Sequence, residues 1–239
     1  MNIYLYLNLV TLFFPLVLSF DRRVRFVQYW PALFPAILLS GLLFLLWDEA
    51  FTRMGVWGFN PDYLTGVYLG SLPLEEVLFF VTVPYATVFI YECLNHYVKR
   101  DYLAPYAGGI TAVLAAVLLA VAFFNLEKMY TAVTFLLLPV LLGVHYRLFG
   151  TRVLGRFYAA YLVHLIPFLL VNGVLTALPI VWYNNDQNLS LRISTIPVED
   201  TMYSMLRLLL NITLYEWLKR NGLRRKNVKQ SPELQVKEV

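Results

Sequence analysis

The sequence LPLEEVLFF at residues 72–80 places two adjacent glutamates at the start of a long apolar run, directly after a proline. When the chain is shifted by 124 residues, this stretch falls on IPVEDTMYS at residues 196–204. Proline suits the first position of a helix, where its missing N–H costs nothing, and the helix dipole favours carboxylates in the first turn. Both stretches are therefore predicted to begin a membrane-spanning helix.

The same shift brings further polar residues into coincidence, which indicates an internal duplication. The coincident pairs include Asp48 and Asn172, Asn60 and Asn184, Thr87 and Asn211, Tyr91 and Tyr215, and Glu92 and Glu216. Lipid-facing helix surfaces have no need of such residues. The two Tyr-Glu pairs are expected at the cytoplasmic boundary of the membrane, as interfacial tyrosines beside solvated glutamates, with a role in locking the helices together as the alternative.

The composition is that of a membrane protein. The chain is 59% hydrophobic, with a mean hydropathy of +0.63 and only 14% charged residues, whereas a soluble domain carries about 25%. Seven apolar stretches are long enough to cross a hydrocarbon core about 30 Å thick. These predicted spans are Ile3–Phe20, Pro31–Trp47, Pro73–Asn95, Ala107–Asn125, Met129–Phe149, Phe157–Leu178 and Pro197–Lys219.

The basic residues predict the orientation of these spans. The first span has no basic segment before it and no small-residue cleavage site, so we expect it to stay uncleaved. With seven spans, 15 of the 19 lysines and arginines fall on one side of the membrane, which the positive-inside rule makes the cytoplasm. We therefore expect a multi-pass protein of the cell membrane, with its N-terminus outside and its C-terminus in the cytoplasm.

The predicted fold is an all-α membrane protein with two parallel three-helix repeats joined by a connector helix, in a 3+1+3 arrangement. Three spans plus one connector restore the direction of the chain, so the repeats are related by an axis along the membrane normal. The predicted units are a first repeat at residues 1–106, a connector at 107–126, a second repeat at 127–219 and a basic cytoplasmic tail at 220–239. This tail is expected to contact anionic lipid headgroups rather than nucleic acid.

The sequence predicts neither a metal ion nor an organic cofactor. A single cysteine, Cys93, excludes an intrachain disulfide and a CxxC metal site. The three histidines show no ligand spacing, and no glycine-rich phosphate loop is present.

The doubled acidic motif is also the predicted functional site. First-turn acids have an ordinary structural explanation, but their recurrence at one offset in both repeats argues for a polar path inside the bundle. Asp48 and Asn172, at the ends of the second and sixth spans, reach the same depth. Trp57 and Trp182 are candidates for the roof of the cavity. The four predicted catalytic residues are Glu75, Glu76, Glu199 and Asp200.

One face of the seventh span carries a polar stripe. Asp200, Tyr203, Arg207 and Asn211 lie on the same side at 100° per residue. Arg207 lies two turns into the membrane, where an unpaired guanidinium is costly. We therefore expect it to form an ion pair with a carboxylate.

The two motifs resemble those of the small membrane lycopene cyclases in their fused, two-repeat form. The residues that carry the resemblance are Pro-x-Glu-Glu-x-x-Phe, from Pro73 to Phe79, and Pro-x-Glu-Asp-x-x-Tyr, from Pro197 to Tyr203. The resemblance implies cyclisation of the linear ends of lycopene to β-ionone rings. It implies lycopene taken from the lipid phase as the substrate, and other carotenoid enzymes as a candidate class of partner.

This chemistry is an isomerisation that needs an acid and a base. A neutral carboxylic acid protonates the terminal double bond, the neighbouring alkene attacks the tertiary cation, and a carboxylate removes a proton. We expect Glu75 and Glu199 to form the core acid/base pair, with Glu76 and Asp200 sharing the proton. Arg207 would hold one partner ionised. Phe79 and Tyr203 would stabilise the cation, and Asp48, Asn172 and Asn211 would support the site.

Three other functions are compatible with seven apolar spans. A sister cyclase acting on longer C50 carotenoids is compatible with the same sequence. A transporter of the SWEET type shares the 3+1+3 plan, but its Pro-Gln hinge dipeptide is absent from the sequence. A retinal photoreceptor needs a lysine midway along the seventh helix, where this chain carries Arg207.

Overall fold

The computed structural model describes residues 2–230, with side chains to residue 222. Residues 231–239 of the predicted basic tail lie outside this described part. Six α-helices are assigned within it, and most of the chain belongs to them. They are α1 (Ile3–Leu18), α2 (Trp30–Arg53), α3 (Leu74–Tyr97), α4 (Ala107–Phe123), α5 (Met129–Ala177) and α6 (Val198–Gln230).

Helix α5 is broken at Gly150, where φ is 68° and ψ is −165°. A residue with a Cβ atom would be strained in this conformation, whereas glycine adopts it readily. The break divides α5 into a first segment, residues 129–149, and a second segment, residues 151–177. The two helical segments that correspond to the fifth and sixth predicted spans are thus separated by one residue rather than by a loop.

Three helical stretches among the described residues are long and apolar enough to cross a membrane. They are Phe26–Arg53, Leu74–Tyr97 and Met129–Ala177. Helices α1 and α4 are apolar but shorter than these. Leucines on the outside of the bundle are strongly exposed, including Leu46 at 71% and Leu170 at 69%. Such a surface fits contact with lipid rather than with water.

The expectation of an all-α fold missed six short strands between the helices. They form three antiparallel pairs: β1 (Trp57–Phe59) with β4 (Val181–Tyr183), β2 (Tyr68–Leu69) with β3 (Leu72–Pro73), and β5 (Arg192–Ile193) with β6 (Ile196–Pro197). Strands of two or three residues are too short to show an alternating pattern in the sequence. They fix the loops that precede α3 and α6.

Equivalent elements of the structure recur at an offset of 124 residues. This holds for β1 and β4, for β2 and β5, for β3 and β6, and for the first residues of α3 and α6. In the β1–β4 pair, Gly58 lies opposite Trp182, and these two residues are themselves 124 positions apart. The strand pair therefore lies on a local twofold axis.

Contacts between helices follow the same symmetry. Helix α2 packs against α6. The 124-residue offset relates α2 to the second segment of α5, and α6 to α3, and α5 packs against α3 in turn. Asn211 donates a hydrogen bond to Ser40 Oγ at 2.9 Å, and the equivalent pair, Thr87 and His164, is joined at 3.0 Å. Each half thus buries polar groups against the other.

The two Tyr-Glu pairs form a crossed contact at the end of the bundle opposite the strands. Tyr91 donates to Glu216 at 3.1 Å, and Tyr215 donates to Glu92 at 2.7 Å. Lys219 forms an ion pair with Glu92 at 2.5 Å. Glu92 and Glu216 are 3% and 7% exposed, so the expectation of solvated interfacial glutamates is wrong. Burial of a carboxylate requires such partners, and here each half supplies them to the other.

Candidate functional site

A small cavity of about 60 Å³ lies beneath the β1–β4 pair, where α1, α2, α3, α5 and α6 converge. Its wall combines ionisable side chains with aromatic rings. The polar lining residues are Tyr4, Asp48, Glu76, Tyr130, Asn172, Tyr183, Asp200, Tyr203, Ser204 and Arg207. Both repeats contribute to this single cavity.

Asp200, in the first turn of α6, is held by two tyrosines. Its Oδ1 accepts a hydrogen bond from Tyr130 and its Oδ2 accepts one from Tyr183, both at 2.7 Å. Burial, and then the Asp200 carboxylate, raise the pKa of Tyr183 well above its usual value, so Tyr183 remains a proton donor. Two donors on one carboxylate favour its ionised form.

Glu76 and Asp48 form the other acidic part of the cavity. Glu76, in the first turn of α3, accepts a hydrogen bond from the Tyr4 hydroxyl. Asp48, near the end of α2, accepts one from Trp57 Nε1 at 2.6 Å on Oδ1. Its Oδ2 is buried and has no hydrogen-bond partner among the described residues. Both carboxyl groups line the same small cavity.

The expected ion pair of Arg207 is absent from the described residues, where no carboxylate oxygen lies within 4 Å of its guanidinium. The guanidinium carbon instead lies 5.2 Å from the ring centre of Phe79 and 5.0 Å from that of Phe80. Its Nε has no hydrogen-bond partner in the described part of the chain. A cation over aromatic faces gains attraction without a carboxylate, so Arg207 supplies positive charge beside the acidic groups.

Glu75 and Glu199 turn away from the cavity toward the loops that precede their helices. Glu75 Oε1 accepts a hydrogen bond from the backbone N–H of Thr65 at 2.6 Å. Glu199 Oε1 accepts one from the backbone N–H of Leu189 at 2.7 Å and another from Thr131 Oγ1 at 2.7 Å. Both glutamates are fully buried. The structure therefore gives them a loop-fixing position and does not bring them together as a core pair.

The aromatic residues expected at the site do line the cavity. Phe79 packs edge-on against Tyr4, with ring centres 5.9 Å apart. Tyr203 packs against Trp57 at 5.9 Å and against Trp47 at 5.1 Å. Its hydroxyl has no hydrogen-bond partner within the described part of the chain.

The expected supporting residues divide between the cavity and the helix interfaces. Asp48 and Asn172, which are equivalent in the two repeats, both line the cavity. Asn211 lies away from it and is engaged with Ser40. Trp57 forms part of the roof, whereas Trp182 is 46% exposed and lies across Gly58 on the outer side.

Sequence reasoning missed the tyrosines that hold the carboxyl groups. Tyr4 and Tyr130 lie at the start of α1 and α5, and Tyr183 lies in β4. Tyr130 and Tyr183 come from different segments, and their rings stack 6.1 Å apart. Tyrosines near the ends of apolar spans are ordinary membrane-boundary residues. The sequence predicted a place in the roof of the cavity only for Trp57 and Trp182.

No set of three or more histidine, cysteine or acidic side chains in the described chain is arranged to hold a metal ion. The cavity offers carboxyl groups, tyrosine hydroxyls, one guanidinium and aromatic faces. Such a set can protonate a substrate, stabilise a positive charge and remove a proton.

The family model described as lycopene cyclase matches residues 1–94 and 127–218. The unmatched stretch between them contains α4. The similar curated proteins include three fungal enzymes that are each named bifunctional lycopene cyclase/phytoene synthase. The protein from Podospora anserina is 34% identical over 74 residues, which cover 31% of this chain and 12% of the relative. The protein from Arthroderma gypseum is 38% identical over 69 residues, with coverages of 29% and 11%.

The protein from Aspergillus oryzae is 27% identical over 122 residues, which cover 51% of this chain and 19% of the relative. The chain thus spans less than a fifth of the length of these relatives. No solved structure matches it.

Proposed function

Because the chain belongs to the lycopene cyclase family, we propose that it is a membrane enzyme that closes the linear ends of lycopene into β-ionone rings. The observation that carries this proposal is the cavity in which three carboxyl groups, from Asp48, Glu76 and Asp200, are enclosed by aromatic rings. Net cyclisation is an isomerisation, so it consumes no redox equivalent and no other reactant.

The proton donor in this proposal is the pair formed by Asp48 and Glu76. Carboxyl groups close together and away from water cannot all be ionised. The Asp48 oxygen that lacks a partner is where an acidic hydrogen would lie, available to a substrate. Protonation of the terminal double bond forms a tertiary cation, and the neighbouring alkene attacks it to close the ring.

Asp200 is the proposed base. Its two tyrosine donors favour the carboxylate, which stabilises the ring cation and then removes the proton that restores a double bond. The rings of Trp57, Phe79 and Tyr203 can each contribute about 0.5–2 kcal/mol of cation–π stabilisation. In this assignment Glu76 and Asp200 act in the reaction, while Glu75 and Glu199 fix the loops around it.

The proposed topology is the 3+1+3 arrangement of seven spans, with the N-terminus outside, the C-terminus in the cytoplasm and residues 220–239 as a basic tail. The 124-residue offset between equivalent strands and helix starts supports repeats at 1–106 and 127–219. The break at Gly150 supports two spans within α5. The protein would be multi-pass in the cell membrane and take lycopene from the lipid.

Other carotenoid enzymes are proposed as partners. The names of the fungal relatives combine a lycopene cyclase with a phytoene synthase, which supports a spatial link between this chain and an enzyme of the same pathway.

Expression in a bacterium that accumulates lycopene tests the proposed function. The chain is expected to convert the red pigment to monocyclic and bicyclic carotenes, separable by chromatography. Asp48→Asn, Glu76→Gln and Asp200→Asn are each expected to lower conversion by about 10²–10⁴-fold, and Glu75→Gln is the control. Unchanged lycopene beside folded wild-type protein in the membrane would contradict the proposal.

A further inference from the structure

An apolar groove of about 500 Å³ lies on the outside of the bundle, between α1, α3 and the second segment of α5. This volume falls in the range of about 300–1,000 Å³ typical of ligand sites. Its outer rim is open, since Val10, Phe14 and Leu170 are 64%, 65% and 69% exposed. The groove therefore opens sideways, toward the surface that contacts lipid.

The chemistry of the groove fits a hydrocarbon. Most of its lining side chains are aliphatic or aromatic. The two nitrogens of His164, which also lines it, are engaged with Thr87 at 3.0 Å and Ser204 at 3.1 Å. A polar ligand would find few hydrogen-bond partners in the groove. An apolar chain makes no hydrogen bonds in the lipid, so it loses none when it enters the groove.

The groove adjoins the acidic cavity. Phe79, Phe168 and Asn172 line both spaces, so the two phenyl rings stand between the lipid side and the carboxyl groups. Along α3 the groove extends from Phe79 to Ile90, about 16 Å at 1.5 Å per residue. It can hold one part of an extended C40 chain, with the remainder in the lipid.

The two repeats carry side chains of different size at positions equivalent to the lining of the groove. Val171 in the groove corresponds to Trp47 in the other half, and Ala86 corresponds to Leu210. The ring of Trp47 packs 5.1 Å from Tyr203 and 5.4 Å from Phe44. Larger side chains thus occupy the positions equivalent to the small ones that line the groove beside α1.

We propose that this groove binds the linear polyene chain of the substrate and is the route by which one end passes from the lipid to the cavity. The inference rests on the proposed function, because that function supplies a long unsaturated hydrocarbon whose end must reach the carboxyl groups. The occupant is the polyene itself, and its reacting end lies past Phe79 and Phe168.

A tryptophan placed in the groove tests the route. Val171→Trp copies the residue found at the equivalent position of the other repeat, so the helix has a precedent for it. It is expected to raise KM or lower kcat/KM for lycopene in lipid vesicles by about tenfold or more, because the indole ring would occupy space that the polyene needs. Leu46→Trp, on the exposed position equivalent to Leu170, is the control and is expected to leave the rate unchanged. Equal rates for the two variants would overturn the proposal.

A cross-linking experiment keeps the inference testable if Val171→Trp does not fold. The photoreactive residue benzoylphenylalanine replaces Leu170 or Leu46 in Glu76→Gln protein, so that lycopene can bind without turning over. Mass spectrometry of irradiated vesicles is expected to find lycopene adducts mainly at position 170. Similar yields at both positions, lipid adducts alone at 170, or no lycopene adduct at either would overturn the groove assignment.

Wild-type protein in the same vesicles distinguishes a failure of the groove assignment from a failure of the proposed function. If wild-type protein cyclises lycopene but position 170 does not capture it, the groove assignment fails and the proposed function stands. If lycopene is captured at 170 but never cyclised, the groove binds a polyene and the proposed function fails.

Discussion

Replacing Asp200 by asparagine is expected to remove most of the cyclisation activity while leaving the fold intact. Both carboxylate oxygens of Asp200 accept tyrosine hydrogen bonds at 2.7 Å. The asparagine amide keeps one acceptor oxygen and presents an NH₂ group to the other hydroxyl, which can rotate to accept from it. The change removes the negative charge but retains the partners, so it costs about 1–3 kcal/mol of unfolding free energy at most.

The catalytic cost of the same change is larger. A positioned acid or base contributes about 10²–10⁴-fold to the rate, which corresponds to about 2.7–5.5 kcal/mol at 1.36 kcal/mol per factor of ten. The assay follows the carotenes formed from lycopene by purified protein in lipid vesicles, beside a thermal unfolding curve of each variant. An Asp200→Asn protein that stays folded and keeps more than about a tenth of the wild-type rate would refute the assignment of the base.

Glu199→Gln is the matched control for that experiment, because it makes the same replacement of a carboxylate by an amide at the adjacent residue. Glu199 is fully buried but accepts from the Leu189 N–H and Thr131 rather than facing the cavity. The variant is expected to keep a rate within about tenfold of wild type, because it removes no group that touches the substrate. A loss as large as that of Asp200→Asn would return Glu199 to the catalytic pair.

Three further predictions concern stability and product order. Glu75→Ala is expected to lower the unfolding free energy by about 1–3 kcal/mol, since it leaves the part-buried Thr65 N–H without its acceptor; an unchanged melting temperature would contradict this. Gly150→Ala is expected to cost about 1–3 kcal/mol because φ of 68° and ψ of −165° lie in a region that only glycine adopts readily, and a variant as stable as wild type would show that the break needs no glycine. With one cavity for two substrate ends, a time course at excess lycopene is expected to show monocyclic carotene before bicyclic carotene; simultaneous appearance of the bicyclic product would contradict a single site.

The sequence was sufficient to locate the two helix starts and the region of the cavity. The doubled motif predicts helices after Pro73 and Pro197, and α3 and α6 begin at the next residue in each case. Asp48 and Asn172 were expected at the depth of the motif, and both line the cavity. Polar residues repeated at one offset carry this information because lipid-facing positions do not retain them.

The direction of each carboxylate could not be predicted from the motif. Adjacent residues on a helix point about 100° apart, so only one member of each acidic pair can face the centre of the bundle. Which member does so depends on the loops that precede α3 and α6. Backbone N–H groups of these loops donate hydrogen bonds to Glu75 and Glu199. Those loops are fixed by strands of two residues that leave no pattern in the sequence.

The surroundings of Arg207 show why pairwise charge reasoning failed there. The expectation of an ion pair counted the cost of an unpaired guanidinium but not the rings of Phe79 and Phe80, which come from α3 in the other repeat. Helix locking was the alternative expected of the two Tyr-Glu pairs, and the contacts of Tyr91 with Glu216 and of Tyr215 with Glu92 fit it, although the partners themselves were not predicted. Contacts between the halves depend on how the repeats face each other, which local sequence does not encode.

The most direct test of the central claim is cyclisation of lycopene by the purified protein in vesicles prepared in D₂O, with no cofactor added. Protonation by a cavity carboxyl group that exchanges with solvent predicts cyclised product that carries one deuterium for each ring closed, read by mass spectrometry. Cyclised product without deuterium would contradict the acid mechanism, and unconverted lycopene beside folded protein would contradict the cyclase function itself.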